Sequence, residues 1–512
     1  MKSGWLPWFL AGVAAAAVAV GVGELVGGLL GGTSIVAAIG ALVIALQPPG
    51  GKDLMTQLFG TNDKAALEIM VTAGGLLVGG VLGLAARRDV RIATAGFVAF
   101  GAVAFILLMG DPLNMLPSSA IVAVVATAAG LMTLSWLTGA INRYSANTNA
   151  ATNVGRRGFV ALAALLVVGG SGLAVVGRLL GAQVGGSSSG PPGPVPTPGQ
   201  TAGPVLAAAD FSTDQAVAGV SPIVVPNADF YRIDTRLSTP RIDSKTWSLR
   251  VHGMVDRELT LTYDQLLARP LVERYVTIAC VSNEVGGPLV GNAKWTGTSL
   301  VDLLNEAGIK QGATQVVPRS FDGWTAGFPT EHLSGAGSDA MVVVAMNGEP
   351  LPPQHGFPAR LIVPGLFGYV SATKWLTEIE LTTLEAFDAY WVPLGWSKLG
   401  PILTQSRIDR PVYGALVNGG NYEVAGVAWA PTRGISKVEV RLDTGDWQQA
   451  QLSQPLSNYS WVQWRAALNI DPGAHAVTVR ATDGTGTTQP EGRTSPPPDG
   501  ARGWHQVQFS AR

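Results

Sequence analysis

The chain reads as three unlike parts: a bundle of transmembrane helices, an α+β domain and an all-β domain. Three observations predict this. Apolar runs of about twenty residues fill the first 182 positions. Strand-like runs mixed with a few helices occupy residues 221 to 395, and from about residue 400 only strand patterns recur. Composition agrees, since 47% hydrophobic and only 13% charged residues coexist with 65 glycines and 33 prolines, a mixture that suits two different solvents. The predicted boundaries are 1–183 for the helices, 184–205 for a linker, 206–398 for the α+β domain and 399–512 for the all-β domain.

A bilayer core ~30 Å thick and a rise of ~1.5 Å per residue ask for about 20 apolar residues per span. Five stretches qualify, near 6–27, 65–86, 92–110, 119–140 and 159–180. A sixth, TSIVAAIGALVIAL from Thr33 to Leu46, is short. Loops rich in Lys and Arg stay in the cytoplasm, and Arg87, Arg88 and Arg91 mark one such loop, Arg143, Arg156 and Arg157 another. Loop 47–64 then falls outside and residues 1–46 cross once, the short stretch being re-entrant or interfacial. Six spans with an external N-terminus is the rival reading. The paired arginines of NVGRRGFVALAALLVVGG have the form of a twin-arginine export signal, or of plain cytoplasmic anchors. Both place the residues after 180 outside, so the expectation is a multi-pass protein of the cell membrane with extracytoplasmic soluble domains. Glu24 stands inside the first span, where a carboxylate is costly. All five histidines come after the spans, so the helices cannot supply paired ligands to a transmembrane haem.

Residues 185–204, GGSSSGPPGPVPTPGQTAGP, combine flexible Gly and Ser with six prolines that keep the chain extended, as a tether does. The helical part carries ten Lys and Arg against six Asp and Glu, which leaves 24 against 29 beyond residue 182. That slightly acidic balance excludes nucleic acid as the expected partner. In the α+β region, TWSLRVHG and LTLTY alternate as half-buried strands do, and TSLVDLLNEAGI has helical spacing with Gly308 near its end. ARLIVPG is a nearly continuous apolar run, the pattern of a strand covered on both faces. Further on, VAGVAWA, KVEVRLD, WVQWRAAL and AHAVTVRATD, separated by DTGD and DGTGTT, predict an antiparallel, immunoglobulin-like β-sandwich. Trp429, Trp447, Trp461 and Trp464 are its expected core and cross-strand aromatics.

Cys280 is the only cysteine. A lone cysteine in an exported chain is buried and inert, reactive, or bound to something. It ends the run YVTIAC and opens a segment with Ser282, Asn283, Gly286, Gly287 and Pro288, a strand end beside a glycine-rich loop where ligand contacts concentrate. Its thiolate is a strong ligand for a soft metal.

Two long motifs here, IACVSNEVGG with AKWTGTSL after it, and LPPQHGFPARLIVPGLFGYVSATKWLTEIEL, resemble the molybdenum-cofactor domain of the sulfite oxidase family. The C-terminal sandwich resembles that family's dimerisation domain, and together the resemblance covers about 290 residues. It implies a molybdenum-molybdopterin cofactor, with Cys280 as catalytic thiolate and metal ligand. It also implies that His355 and Arg360 hold the pterin and its phosphate, and that Gly368, Tyr369, Ser371, Ala372, Thr373 and Lys374 wrap the phosphate. Asp322 in FDGWTAG would stand near the pterin, and Tyr231, Arg232 and Arg236 in NADFYRIDTRLSTP would be pterin or phosphate contacts.

The family pattern also breaks. Where the cysteine motif of sulfite oxidases has an arginine five residues on, this chain has Val285 preceded by Glu284, and where the entry segment has another, it has Asp234. Two cationic contacts for a dianion are gone, which predicts a neutral small-molecule substrate such as a sulfoxide or N-oxide rather than sulfite. A methionine-sulfoxide reductase of the same family shares LPPQ and the ARLIVP-like strand. With no CxxCH motif and one cysteine, the chain has neither a c-type haem nor an iron–sulfur cluster, so a separate electron-transfer partner is expected. The implied chemistry is two-electron oxygen-atom transfer.

Overall fold

The structure is a computed structural model describing residues 4–46, 58–59, 63–111, 114–146, 153–184, 195–196, 217–237, 239–335 and 337–512. Most of the expected linker at 184–205 and of the expected external loop at 47–64 lies outside the described residues. Two compact units are formed, one from Met1–Gly190 with Thr235–Arg241 and one from Pro191–Asp234 with Ile242–Arg512.

The first unit is helical: α1 (Trp5–Leu29), α2 (Ile35–Leu46), α3 (Asp63–Ala86), α4 (Val90–Met109), α5 (Leu116–Ala146) and α6 (Asn153–Val184). Among the described residues, five of these are long and apolar enough to cross a membrane, and α2 is the short one. Helix α1 packs against α3, α5 and α6. Close approach is possible because glycines face one another: Gly21 meets Gly170 and Gly28 meets Gly177, seven residues apart on both α1 and α6, while Gly12 meets Gly79 and Gly83 on α3. At each meeting a Cβ would overlap the opposing backbone, so the helices touch main chain to main chain. Glu24, only 3% exposed, accepts from Ser34 Oγ at 2.8 Å and from Val36 N–H at 3.2 Å, and thereby caps the first turn of α2. Arg178 Nε stands 3.5 Å from the same carboxylate and its Nη1 bonds Glu68 at 2.8 Å, so the costly charge is paired.

In the second unit, one sheet orders β3 (Leu271–Ala279), β4 (Val290–Ser299), β7 (Met341–Met346) and β8 (Glu349–Pro350), with β9 (Arg360–Ile362) also on β7. Another orders β2 (Leu259–Thr262), β1 (Ser248–Gly253), β10 (Leu376–Thr382), β5 (Gln315–Ser320) and β6 (Phe328–Pro329). Within these two sheets, among the described residues, only β1 and β10 run parallel. The predicted helix forms at Leu300–Ala307: Ser299 Oγ accepts from Asp302 N–H at 3.1 Å and Gly308, at φ +73, turns the chain out. Strand β9 is buried at every position, as the continuous run ARLIVPG anticipates, and β7 is likewise buried throughout.

After residue 400 two sheets face each other. One orders β11 (Gln405–Arg410), β13 (Gly420–Trp429), β17 (Val462–Ile470) and β16 (Gln451–Leu452); the other orders β12 (Leu416–Val417), β19 (His505–Ala511), β18 (Gly473–Asp483), β14 (Ile435–Leu442) and β15 (Gln448–Gln449). Val424, Val462 and Trp464 from the first and Val438, Val477 and Phe509 from the second share one core. Two of the expected sandwich tryptophans belong elsewhere. Trp429 and Trp461 join the core of the preceding domain, and Trp461 Nε1 donates to Ile223 O at 2.8 Å. Trp447 is half-buried and sets its ring edge-on to Trp504, with Arg480 and Arg441 over it at 4.1 and 4.7 Å.

Candidate cofactor site

Backbone pairing gathers the two motifs. Strand β3 ends at Ala279, and Cys280 N–H still bonds Leu289 O at 2.9 Å, so the cysteine sits at the mouth of the β3–β4 loop. Its Sγ lies 2.9 Å from Ser282 Oγ and is partly exposed. The short helix Gly368–Ser371 begins beside it: a Cβ on Gly368 would stand 3.7 Å from Ala279 O and 4.0 Å from Tyr231 OH, so any side chain there would fill the space in front of that wall. Downstream, Trp375 N–H bonds Gly356 O, Leu361 N–H bonds Thr373 O and Leu376 N–H bonds Ala359 O, which lays Thr373 and Lys374 alongside His355 and Arg360. Phe230 stacks on Tyr231 and meets Trp295 and His355 edge to face at 5.7 and 5.8 Å, fixing the entry segment to the same wall.

Arg360 is 3% exposed, lies over the Trp295 ring at 4.8 Å and donates through Nη1 to His355 O at 3.1 Å. Burial pushes its pKa down to about 10, and that of Lys374 to about 8. Lys374 Nζ bonds Asp234 Oδ2 at 3.1 Å, and Arg232 Nε approaches the same oxygen at 3.7 Å. His355 is 1% exposed; its Nε2 faces Asn227 O at 2.8 Å, and since a carbonyl only accepts, Nε2 carries the hydrogen. Burial pushes its pKa down to about 4, with Arg360, Lys374 and Arg232 adding to the fall, so the ring is neutral and Nδ1 is an acceptor. Burial also raises the Tyr231 hydroxyl well above its ordinary value, Cys280 adds to the rise and Arg360 opposes it.

Three buried polar atoms converge here without a protein partner among the described residues: Arg360 Nε, His355 Nδ1 and Thr373 Oγ1. A buried donor left unpaired costs on the order of 1–3 kcal/mol, more when charged. Three cations, Arg232, Arg360 and Lys374, stand on this wall, and the carboxylate of Asp234 bonds one of them and approaches another. Such a wall fits a buried ligand with a phosphate and hydrogen-bonding ring atoms.

Not every expected residue joins it. Arg236 belongs to the helical unit, where Nη2 pairs with Asp111 Oδ2 at 2.5 Å and its carbonyl accepts from Lys64 Nζ at 2.7 Å. Asp322 caps its own turn, accepting from Trp324 N–H at 3.3 Å. Tyr369 donates to Ser397 O at 2.6 Å, and Ser371 Oγ bonds back to Phe367 O at 2.9 Å, so neither hydroxyl is a free donor to a ligand. Ala372 is half-buried and closes the short helix through its N–H to Gly368 O. Asp234 also departs from expectation, being a tethered counter-charge, 6% exposed, rather than a bare acid. Trp295, Phe230 and Asn227 orient the wall, yet nothing in the sequence singles them out, although all three lie in or beside the quoted motifs. Two clefts of about 360 and 280 Å³ in this unit, one around Leu399 and Arg502 and one around Asp339 and Tyr459, include none of the site residues.

Fold and site together define a domain whose buried wall fits a phosphorylated cofactor, with a two-sheet domain after it. Comparison with known proteins agrees. The family model described as "Oxidoreductase molybdopterin binding domain" matches residues 236–391, and "Mo-co oxidoreductase dimerisation domain" matches 402–508. Mitochondrial sulfite oxidase of Homo sapiens is 27% identical over 338 residues, which span 56% of this chain and 61% of that protein. An NADH nitrate reductase of Oryza sativa is 28% identical over 324 residues, 50% of this chain and 34% of its own length. The uncharacterised oxidoreductase YuiH of Bacillus subtilis is 34% identical over 158 residues, 31% of this chain and 76% of YuiH. Among solved structures, the sulfane dehydrogenase SoxCD from Paracoccus pantotrophus aligns with a TM-score of 0.47 at 23% identity, over 52% of this chain and 75% of that one. The chain belongs to the sulfite oxidase family of molybdopterin-dependent oxidoreductases, and its cofactor is molybdenum-molybdopterin. It spans about 61% of the length of the mitochondrial sulfite oxidases it matches.

Proposed function

We propose that this protein is a membrane-tethered, extracytoplasmic enzyme that moves an oxygen atom to or from a small neutral substrate such as a sulfoxide or N-oxide. Cys280 is the residue we assign to the metal. Arg232, Arg360, Lys374, Thr373 and His355 are assigned to the phosphate and pterin, with Tyr231, Gly368 and Ala372 lining the wall. When bound, the cofactor supplies two-electron oxygen-atom transfer at molybdenum. The chain's own part is to bind and orient. Arg360 and Lys374 supply charge, neutral His355 accepts through Nδ1, Thr373 offers its hydroxyl, and Ser282 steadies the Cys280 sulfur.

The observation that carries the neutral-substrate reading is the buried carboxylate of Asp234, which stands where the family pattern has a cation and bonds Lys374 Nζ at 3.1 Å. A negative charge there disfavours an anionic substrate. Oxidation of sulfite is the second reading, and one contact favours it: Arg493 Nη2 donates to Val285 O at 3.2 Å, so a cation does stand beside the position where the motif arginine is missing. Electrons would pass to or from a separate carrier. Residues 399–512, taken as immunoglobulin-like, would support a homodimer, and the paired arginines would serve export of the folded, loaded enzyme. A redox screen of purified holoenzyme against sulfoxides, N-oxides and sulfite tests the proposal. Turnover fastest with a sulfoxide or N-oxide is expected; sulfite as the best substrate would overturn it.

A further inference from the structure

The loop that carries Cys280 is gripped from outside its own domain. Residues 280–289 are closed at the base by Cys280 N–H to Leu289 O, and braced inside by Leu289 N–H to Asn283 Oδ1 at 2.7 Å and Gly287 N–H to Glu284 O at 2.9 Å. Those bonds leave the outer turn, Val285 to Gly287, with carbonyls facing away from the loop. Each of these three residues meets a side chain of the C-terminal two-sheet domain. Val285 O accepts from Arg493 Nη2 at 3.2 Å, and Gly287 O accepts from Arg407 Nη1 at 2.9 Å. Gly286, at φ +82, lies so close under the His505 imidazole that a Cβ would overlap the ring.

Two of the three gripping side chains are themselves fixed by strands. Arg407, on β11, bonds Asp409 Oδ1 at 2.6 Å and Ser221 Oγ at 2.7 Å. His505, at the start of β19, accepts through Nδ1 from Ile408 N–H at 3.0 Å. Burial, with Arg493 and Arg407 adding to it, pushes the His505 pKa down to about 4, which keeps that nitrogen an acceptor. A ten-residue loop held only at its base would open locally at little cost. Here three consecutive residues at its far end are tied to another packed core.

We infer that Arg407, Arg493 and His505 are positioning residues for Cys280: they set where the sulfur stands by fixing residues 285–287, without touching the cofactor. The inference rests on the assignment of Cys280 to the metal. It gives the C-terminal domain a part in the site beyond any role in association, because a ligand's orientation is set by the groups that hold it.

The test uses full-length protein in detergent with Arg493→Ala, Arg407→Gln and Arg407→Lys. Amide exchange of the peptide covering 281–289 is tracked by mass spectrometry in cofactor-free protein, and the paramagnetic resonance signature of the half-reduced holoenzyme is recorded. Arg493→Ala and Arg407→Gln should each speed exchange of that peptide about tenfold, as loss of one charged hydrogen bond implies, while peptides of β13 and β18 stay unchanged. The resonance signature should shift, and Lys at position 407, still able to donate to Gly287 O, should restore part of both. Unchanged exchange in Arg493→Ala, which alters an exposed side chain and keeps the fold, would overturn the inference even if Arg407→Gln failed to fold. Faster exchange with an unchanged signature would overturn it too. Full molybdenum loading of Cys280→Ser would instead sink the ligand assignment, an outcome the exchange measurement does not depend on.

Discussion

Mild acid should destabilise the apoprotein, and the buried His355 imidazole sets a defined share of that loss. His355 is 1% exposed, and burial pushes its pKa from 6.5 down to about 4. The unfolded chain takes up the proton near 6.5, whereas the folded chain resists until about 4. The stability carried by the neutral ring is therefore complete above pH 6.5 and is lost as pH falls from there towards 4, at about 1.4 kcal/mol per unit. Between pH 6.5 and 5 that amounts to about 2 kcal/mol, or roughly 4–8 °C in Tm at the ~2–4 °C per kcal/mol of a large domain. His355→Gln retains an amide N–H for Asn227 O but has no proton to take up, so its Tm should fall by that much less. The assay is thermal unfolding of cofactor-free, full-length protein in detergent near pH 7.5 and near pH 5, wild type beside variant. His505, also pushed down to about 4, is present in both and cancels. Identical pH dependence would refute a neutral, buried His355 and with it the free Nδ1 acceptor.

Arg360→Met should leave the apoprotein's Tm unchanged or raised, since an unpaired buried guanidinium nitrogen is removed, yet cut molybdenum content by an order of magnitude or more; elemental analysis beside a melt reads both. Gly170→Leu should disrupt the contact of α1 with α6, because a Cβ there would overlap the backbone of Ala17; loss of at least about 3 kcal/mol, seen as proteolysis of the helical unit in detergent, is expected. Asp483 accepts from Thr485, Thr487, Thr404 and Arg433, and the hydrogen bonds hold its pKa well below the usual range. Its contribution is full above about pH 4 and is lost only in strong acid, so Asp483→Asn should cost about 2–4 kcal/mol at neutral pH, measured by urea titration.

Length and hydropathy suffice to read the helical unit, because a run of about twenty apolar residues fits a helix long enough to cross a membrane. Alternation suffices for β1, β2, β14 and β18, and the continuous run ARLIVPG for β9. The motifs tell which backbone positions meet, and the pairing of Gly356–Leu361 with Thr373–Leu376 does bring His355, Arg360, Thr373 and Lys374 together. They do not tell where each side chain turns. Ser371 and Tyr369 satisfy their hydroxyls on nearby carbonyls, and Asp322 on its own turn, choices made by local geometry that motif order does not encode. The partner of Arg236 lies 125 residues away in the helical unit, a distance over which spacing carries no information. Asp234 reads as a lost cation because the sequence shows one charge at a time; its pairing with Lys374 and Arg232 exists only in three dimensions. Trp461 reads as sandwich core from its strand, yet its indole N–H bonds Ile223 O in the neighbouring domain.

Molybdenum content of full-length Cys280→Ser, set against wild type purified in parallel, tests the central assignment most directly. Wild type should carry one metal per chain, and the serine variant, with its fold intact by melting, should carry almost none. A serine variant holding its full complement of molybdenum would show that position 280 is not what binds it.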